Sequence, residues 1–137
     1  MKIVIDTYAW IELFMEAIRD KGRKVKEVIA KASDAFVPDI VFAEIARKYL
    51  KEGADEETVR QRLEWVTDIA RIISVNEEVA LLSGKVYLEL VEKSKAERTS
   101  KPGLAAIVLA IARMLKAKVV TGDKHFKGLK EVVWIGE

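Results

Sequence analysis

Five short runs of β-branched and apolar residues punctuate this chain, and the first four are spaced by stretches with helical periodicity. They are Ile3-Val4-Ile5, Ala35-Phe36-Val37-Pro38, Arg71-Ile72-Ile73-Ser74-Val75, Lys118-Val119-Val120-Thr121 and Val132-Val133-Trp134-Ile135. Strands joined through helices make right-handed crossovers, so this order implies a mainly parallel sheet covered by helices on both faces. The expected fold class is α/β: a three-layer α/β/α domain with a mainly parallel central sheet of about five strands, spanning residues 1–137 as a single domain.

The intervening stretches divide readily. Thr7 to Arg19 carries Trp10, Ile11, Leu13, Phe14, Ala17 and Ile18, a set suited to a helix packed on the sheet, and Gly22 is expected to break it. Val25, Val28, Ile29 and Ala32 mark a second amphipathic helix. Asp39 is placed to cap a helix over Ile40 to Leu50 that Gly53 closes, and Asp55 opens another with Leu63, Val66, Ile69 and Ala70 as its inward stripe. A long helix starts at Asn76 and loses its apolar pattern in the basic stretch ending at Lys101. Gly103 to Leu115 is nearly all apolar and alanine-rich, the signature of a buried central helix.

Composition removes several function classes. The chain has no cysteine, which excludes disulfides, thiolate-held zinc and cysteine nucleophiles, and His125 is its only histidine. The apolar stretch Leu104 to Ile111 is far too short to cross a bilayer, so a cytoplasmic location is expected, with no membrane partner. Gln61 and Asn76 are the only amides among many Lys, Arg and Glu residues, a balance suited to a thermophilic source. A net charge of +2 permits a nucleic-acid partner without arguing for one. The basic clusters Arg19–Lys26 and Lys93–Lys101 read as solvated loops.

Three acids stand out by position. Asp6 follows the first strand and Asp123 follows the fourth, and both would lie at the carboxyl edge of the sheet, where the crevice of an open α/β fold gathers reacting groups. Asp6 is equally placed to cap the helix that begins at Thr7. Glu44 stands inside the apolar segment Ile40–Ala46; it is either an exposed position paired with Lys48 or a carboxylate held in a cleft facing Asp6. Three such acids would raise one another's pKa unless a cation sits among them. Hard divalent ions such as Mg²⁺ take carboxylate and water oxygens and activate water against phosphoryl groups, so an acid cluster without thiols points to phosphodiester hydrolysis. Thr7 and Thr121 are supporting hydroxyls beside the acids or ordinary capping and strand residues.

Three segments carry a family resemblance: Ile3-Val4-Ile5-Asp6-Thr7-Tyr8-Ala9-Trp10, Val37-Pro38-Asp39-Ile40-Val41-Phe42-Ala43-Glu44-Ile45 and Val119-Val120-Thr121-Gly122-Asp123-Lys124-His125-Phe126. In this order and spacing they resemble the acidic motifs of the PIN-domain family, and the match is nearest to VapC-type ribonuclease toxins. The resemblance implies a PIN-like fold and an endoribonuclease dependent on Mg²⁺ or Mn²⁺, with Asp6, Glu44 and Asp123 as catalytic and metal-binding acids. It also implies an RNA substrate, a homodimer and a small antitoxin partner. The pattern departs at one place: the family usually carries a further Asp opening the central helix, where Gly103-Leu104-Ala105-Ala106 has none; aligned from the helix Ala105 takes its position, and aligned from the loop the Asp is missing between Ala105 and Ala106. The expected activity is attenuated accordingly, and the alternative is a catalytically impaired PIN-fold protein that binds RNA or an antitoxin. A haloacid-dehalogenase-like phosphatase would need a second Asp where Tyr8 stands, and a receiver domain leaves Glu44 without a role. Lys124 and His125, beside Asp123, read as a solvated turn ahead of a phosphate contact, and Trp10, Phe14 and Tyr49 as core ahead of a dimer or antitoxin contact.

Overall fold

A computed structural model describes residues 1–137. The elements run β1 (Lys2–Ile5), α1 (Thr7–Phe14), α2 (Asp20–Lys31), β2 (Asp34–Pro38), α3 (Asp39–Lys51), α4 (Glu56–Ile69), β3 (Arg71–Ile73), α5 (Glu77–Glu97), α6 (Ala105–Leu115), β4 (Lys118–Thr121) and β5 (Val132–Trp134). The five strands form one sheet in the order β3-β2-β1-β4-β5, and every pairing is parallel. No helix is long and apolar enough to cross a membrane.

Side chains alternate across a strand, so β1 feeds both faces of the sheet. Ile3 and Ile5 join Trp10, Val25, Val41, Ile45 and Val66 in the core beneath α1–α4. Val4 points the other way, into the core made with α5 and α6 through Val86, Leu90, Leu109 and Ile111. Each fully buried aliphatic side chain contributes about 1.5–3 kcal/mol, and two such layers hold β1 at the centre. The chain leaves β1 and β2 across one face and returns from β3 to β4 across the other. β1 and β4 therefore flank the point where connections change face, and a crevice opens beyond their carboxyl ends.

Several boundaries depart from the sequence expectation. The first helix ends at Phe14 rather than Arg19, and Gly22 lies inside α2 instead of breaking a helix. A Cβ at Gly22 would stand 2.2 Å from the Glu12 carbonyl oxygen and 2.6 Å from Glu16 Cα, so the glycine lets α2 press against the end of α1. The cluster Arg19–Lys26 is consequently helical from Asp20 onward, and the second cluster is helical as far as Glu97, where Arg98 turns the chain in the left-handed region. Asp39 does not cap α3; it is the first helical residue, and its carboxylate accepts the Val75 N–H at 3.2 Å, fastening the exit of β3 to α3. β3 ends at Ile73, two residues early, because its partner β2 stops at Pro38, opposite Ile73. Trp10 is fully buried as expected, whereas Phe14 is partly exposed and stacks between Trp10 and Trp65 with ring centroids 6.2 and 5.3 Å away.

Candidate functional site

β1 and β4 lie side by side with Ile5 opposite Val120, so the residues that follow them emerge together. Asp6 is the first of these, and the two readings of it prove compatible. Its Oδ1 accepts the Ala9 N–H at 3.0 Å, capping α1, while its Oδ2 accepts a hydrogen bond from Thr121 Oγ1 at 2.5 Å across the strand pair. Thr121 is fully buried, and its hydroxyl also accepts the Asp123 N–H at 3.0 Å. One threonine thus links the two aspartates.

Glu44 reaches the same place from α3. Its Oε1 accepts from Thr7 Oγ1 at 2.9 Å, and Lys48 pairs with Glu52 at 2.9 Å instead, so the alternative pairing of Glu44 with Lys48 is not formed. Asp123 caps a 3₁₀ turn at Lys124–Phe126, and its Oδ1 accepts both the backbone N–H of His125 at 2.9 Å and the His125 ring Nδ1 at 2.8 Å. The His125 Nε2 lies 3.0 Å from the Ser100 carbonyl oxygen, on the loop before α6. The expected solvated turn is therefore half wrong: His125 is held on two sides, and its side chain is only 13% exposed.

These groups border one cavity of about 690 Å³, lined among others by Asp6, Thr7, Glu44, Ala105, Asp123 and His125, with Arg47 and Lys124 as its cations. Ala105 faces the cavity from the start of α6, whereas Ala106 is buried behind it and does not. No group of three Asp, Glu or His side chains closes to the spacing that would hold an ion unaided. Burial pushes the Asp6 carboxyl up to about 7, helped by the charges of Asp123 and Glu44 and opposed by its bonds from Thr121 and Ala9. A buried carboxyl raised by other carboxyls, with no cationic partner, is an environment that favours an added cation.

Tyr8 and the Pro102–Leu104 turn, which the sequence did not single out, also wall this cavity, and His125, set beside Asp123 by the sequence, belongs to it through a side chain expected to be solvated. An acid two residues before a histidine at a strand end is a signal for His125, because an aspartate capping a tight turn accepts from the residue two positions on. Tyr8 had no such signal. Its ring packs so closely on Gly122 that a Cβ there would stand 2.3 Å from Tyr8 Cε1, which explains the glycine between Thr121 and Asp123.

Comparison with known proteins agrees with this arrangement. A toxin–antitoxin complex from Klebsiella pneumoniae superposes with a TM-score of 0.71 at 23% identity over 98% of each chain. VapBC2 from Rickettsia felis, solved with a DNA fragment from its promoter, gives 0.73 at 18% identity over 98% of this chain and 97% of that one. VapC20 from Mycobacterium tuberculosis, described as a Sarcin-Ricin loop cleaving toxin, gives 0.67 at 14% identity over 93% and 95%. No curated protein matches the sequence significantly. The family model of the PIN domain matches residues 3–132, and with a parallel five-stranded sheet gathering its acids at one edge, the chain belongs to the PIN-domain family, whose members are generally nucleases.

Proposed function

We propose that this protein is a metal-dependent endoribonuclease of the VapC type, acting as the toxin of a toxin–antitoxin pair. The observation that carries the reading is the buried Asp6 carboxyl, which faces Asp123 and Glu44 across one cavity and has no cationic partner. The donor set is all carboxylate, which fits Mg²⁺ or Mn²⁺: such ions bind through one or two carboxylates and keep several waters, so they do not need three side chains closed around them. Asp6, Glu44 and Asp123 would hold the ion, which when bound supplies Lewis acidity toward a phosphoryl oxygen and a more acidic water.

The chain's own residues prepare that site. Thr7 occupies one oxygen of Glu44 and His125 one oxygen of Asp123, leaving Glu44 Oε2 and Asp123 Oδ2 without a donor and free to face the cavity. Thr121 fixes the carboxylate plane of Asp6. Arg47, Lys124 and the amino end of α6 line the same cavity and favour the phosphate groups of a nucleic acid. The structural neighbours solved with antitoxins support a small protein antitoxin as partner, and the one described as cleaving the Sarcin-Ricin loop supports RNA as substrate. A homodimer belongs to the same reading.

Ala105 favours a second reading. With no acid opening α6, the site is short of one carboxylate, and a PIN fold that binds RNA or an antitoxin without cutting would carry such a site. Incubation of single-stranded RNA with the protein and Mn²⁺ separates the two. Cleavage that stops with chelator and with Asp6→Asn is expected; RNA binding with no cleavage at any Mn²⁺ concentration would leave only the binding protein.

A further inference from the structure

We infer that His125 is the positioning residue of this site, and that it sets which oxygen of Asp123 is offered to the divalent ion. The inference rests on the metal-site reading above and deepens it. His125 follows Asp123 by two residues, in a 3₁₀ turn whose first N–H groups the Asp123 side chain caps. That cap alone gives Asp123 Oδ1 one donor, the His125 N–H at 2.9 Å. The imidazole folds back and sets Nδ1 on the same oxygen at 2.8 Å, so Oδ1 is occupied twice and Oδ2 not at all. A carboxylate gripped twice at one oxygen has lost its rotational freedom about the Cβ–Cγ bond, and the free oxygen keeps one direction.

The ring is itself held. Its Nε2 lies 3.0 Å from the Ser100 carbonyl oxygen and 3.2 Å from Ser100 Oγ, and both belong to the loop that enters α6 at Ala105. With Nδ1–H donating to Asp123, Nε2 of the neutral ring accepts from the Ser100 hydroxyl, so the imidazole spans from Asp123 to the loop before the helix start that lacks an acid, joining groups 2 and 25 residues apart in sequence. Glu44 is arranged in the same way by Thr7, one oxygen held and one free. Asp6 differs, with a donor on each oxygen. The Nδ1 contact orients the ligand oxygen, and the Nε2 contact steadies the ring.

The two ring nitrogens can be tested apart. Asn places an amide N–H near the Nδ1 position and Gln places its amide near the Nε2 position, so His125→Asn retains a donor to Asp123 and His125→Gln a polar partner for the Ser100 hydroxyl. Mn²⁺ affinity, read from the free-ion electron paramagnetic resonance signal, is measured for wild type, Asp6→Asn, His125→Ala, His125→Asn and His125→Gln, each first checked for native circular dichroism. Removal of an orienting partner typically costs 10–100-fold in metal affinity, so His125→Ala is expected to bind Mn²⁺ about 10–100-fold more weakly than wild type, with His125→Asn recovering most of the loss and His125→Gln little. His125→Ala within about twofold of wild type, or equal recovery by Gln and Asn, would overturn the positioning role while leaving the metal site intact. Wild type binding Mn²⁺ no better than Asp6→Asn would overturn both together. If His125→Ala does not fold, the contrast between the Asn and Gln variants decides the question by the same criteria.

Discussion

The two ends of α6 treat charge in opposite ways. At its carboxyl end Arg113 is paired through all three nitrogens: Nε donates to Glu131 at 2.6 Å, and the two terminal nitrogens donate to Glu89 at 2.8 and 3.0 Å. Those bonds hold the Glu89 carboxyl below the usual carboxylate range and the Arg113 guanidinium above its ordinary value. At the amino end, Asp6, Glu44 and Asp123 face one cavity with only hydroxyl, amide and imidazole donors in contact, and the Asp6 carboxyl is pushed up to about 7. The first cluster stabilises the fold; the second costs stability, and on the proposed reading a bound cation offsets that cost. One cluster of charge is paired within the chain and the other is left without a cationic partner, which is the arrangement the proposed function calls for.

Altering Asp6 tests this contrast most severely. Asp6→Asn is expected to reduce metal-dependent cleavage by more than about 100-fold, beyond the cost of changing an orienting residue. The same change should stabilise the metal-free protein. The folded state holds the Asp6 proton more tightly than the unfolded chain, about 7 against 3.8, so its contribution is fully present below about pH 4 and is lost as the pH rises to about 7. The full difference is on the order of 4 kcal/mol. Urea denaturation at pH 5 and pH 8 without metal should show wild type losing stability over this window and Asp6→Asn losing less, with Mn²⁺ restoring wild type at pH 8. Equal pH responses would break the contrast.

Adding charge at the same end should act in the opposite sense. Ala105→Asp is expected to tighten Mn²⁺ binding by about tenfold and raise the cleavage rate, while lowering metal-free stability, because a further carboxylate joins the cavity. Calorimetric titration and a denaturation curve check the two halves separately. At the other end, Arg113→Ala should cost about 1–3 kcal/mol, since it strips charged hydrogen bonds from the largely covered Glu131, and should leave Mn²⁺ affinity unchanged. The Glu89 contribution has the reverse pH sense: its folded carboxyl is lowered, so it is present above about pH 4.5 and fades as the pH falls below that. The smallest expected effect is Thr7→Val, which removes one donor from Glu44 and should weaken Mn²⁺ binding by about tenfold or less with little change in stability.

The layer structure and the placement of Asp6 and Asp123 were legible because a β-branched run that stops at an acid marks a strand end, and parallel crossovers bring such ends to one edge. Glu44 was legible only as a choice between two roles, since helical spacing alone offers Lys48 as readily as a cleft. The contacts that settle it, Thr7 to Glu44 and Lys48 to Glu52, depend on how α3 lies against α1. Gly22 misled for a related reason: a glycine in a polar stretch suggests a break, and only the approach of α2 to within contact of Glu12 and Glu16 gives it another purpose. His125 was read as solvated because its partners lie on either side of a turn and on a loop 25 residues earlier in the chain. Local pattern carries periodicity and capping; it does not carry the direction in which a side chain folds back.

Whether Asp6, Glu44 and Asp123 hold one divalent ion is decided by a crystal grown with Mn²⁺ and measured for anomalous scattering at the manganese edge. One manganese peak is expected in the cavity between Asp6, Glu44 and Asp123, touching Glu44 Oε2 and Asp123 Oδ2, the oxygens left without a donor. A map with no peak there, or with manganese bound only elsewhere on the surface, would contradict it.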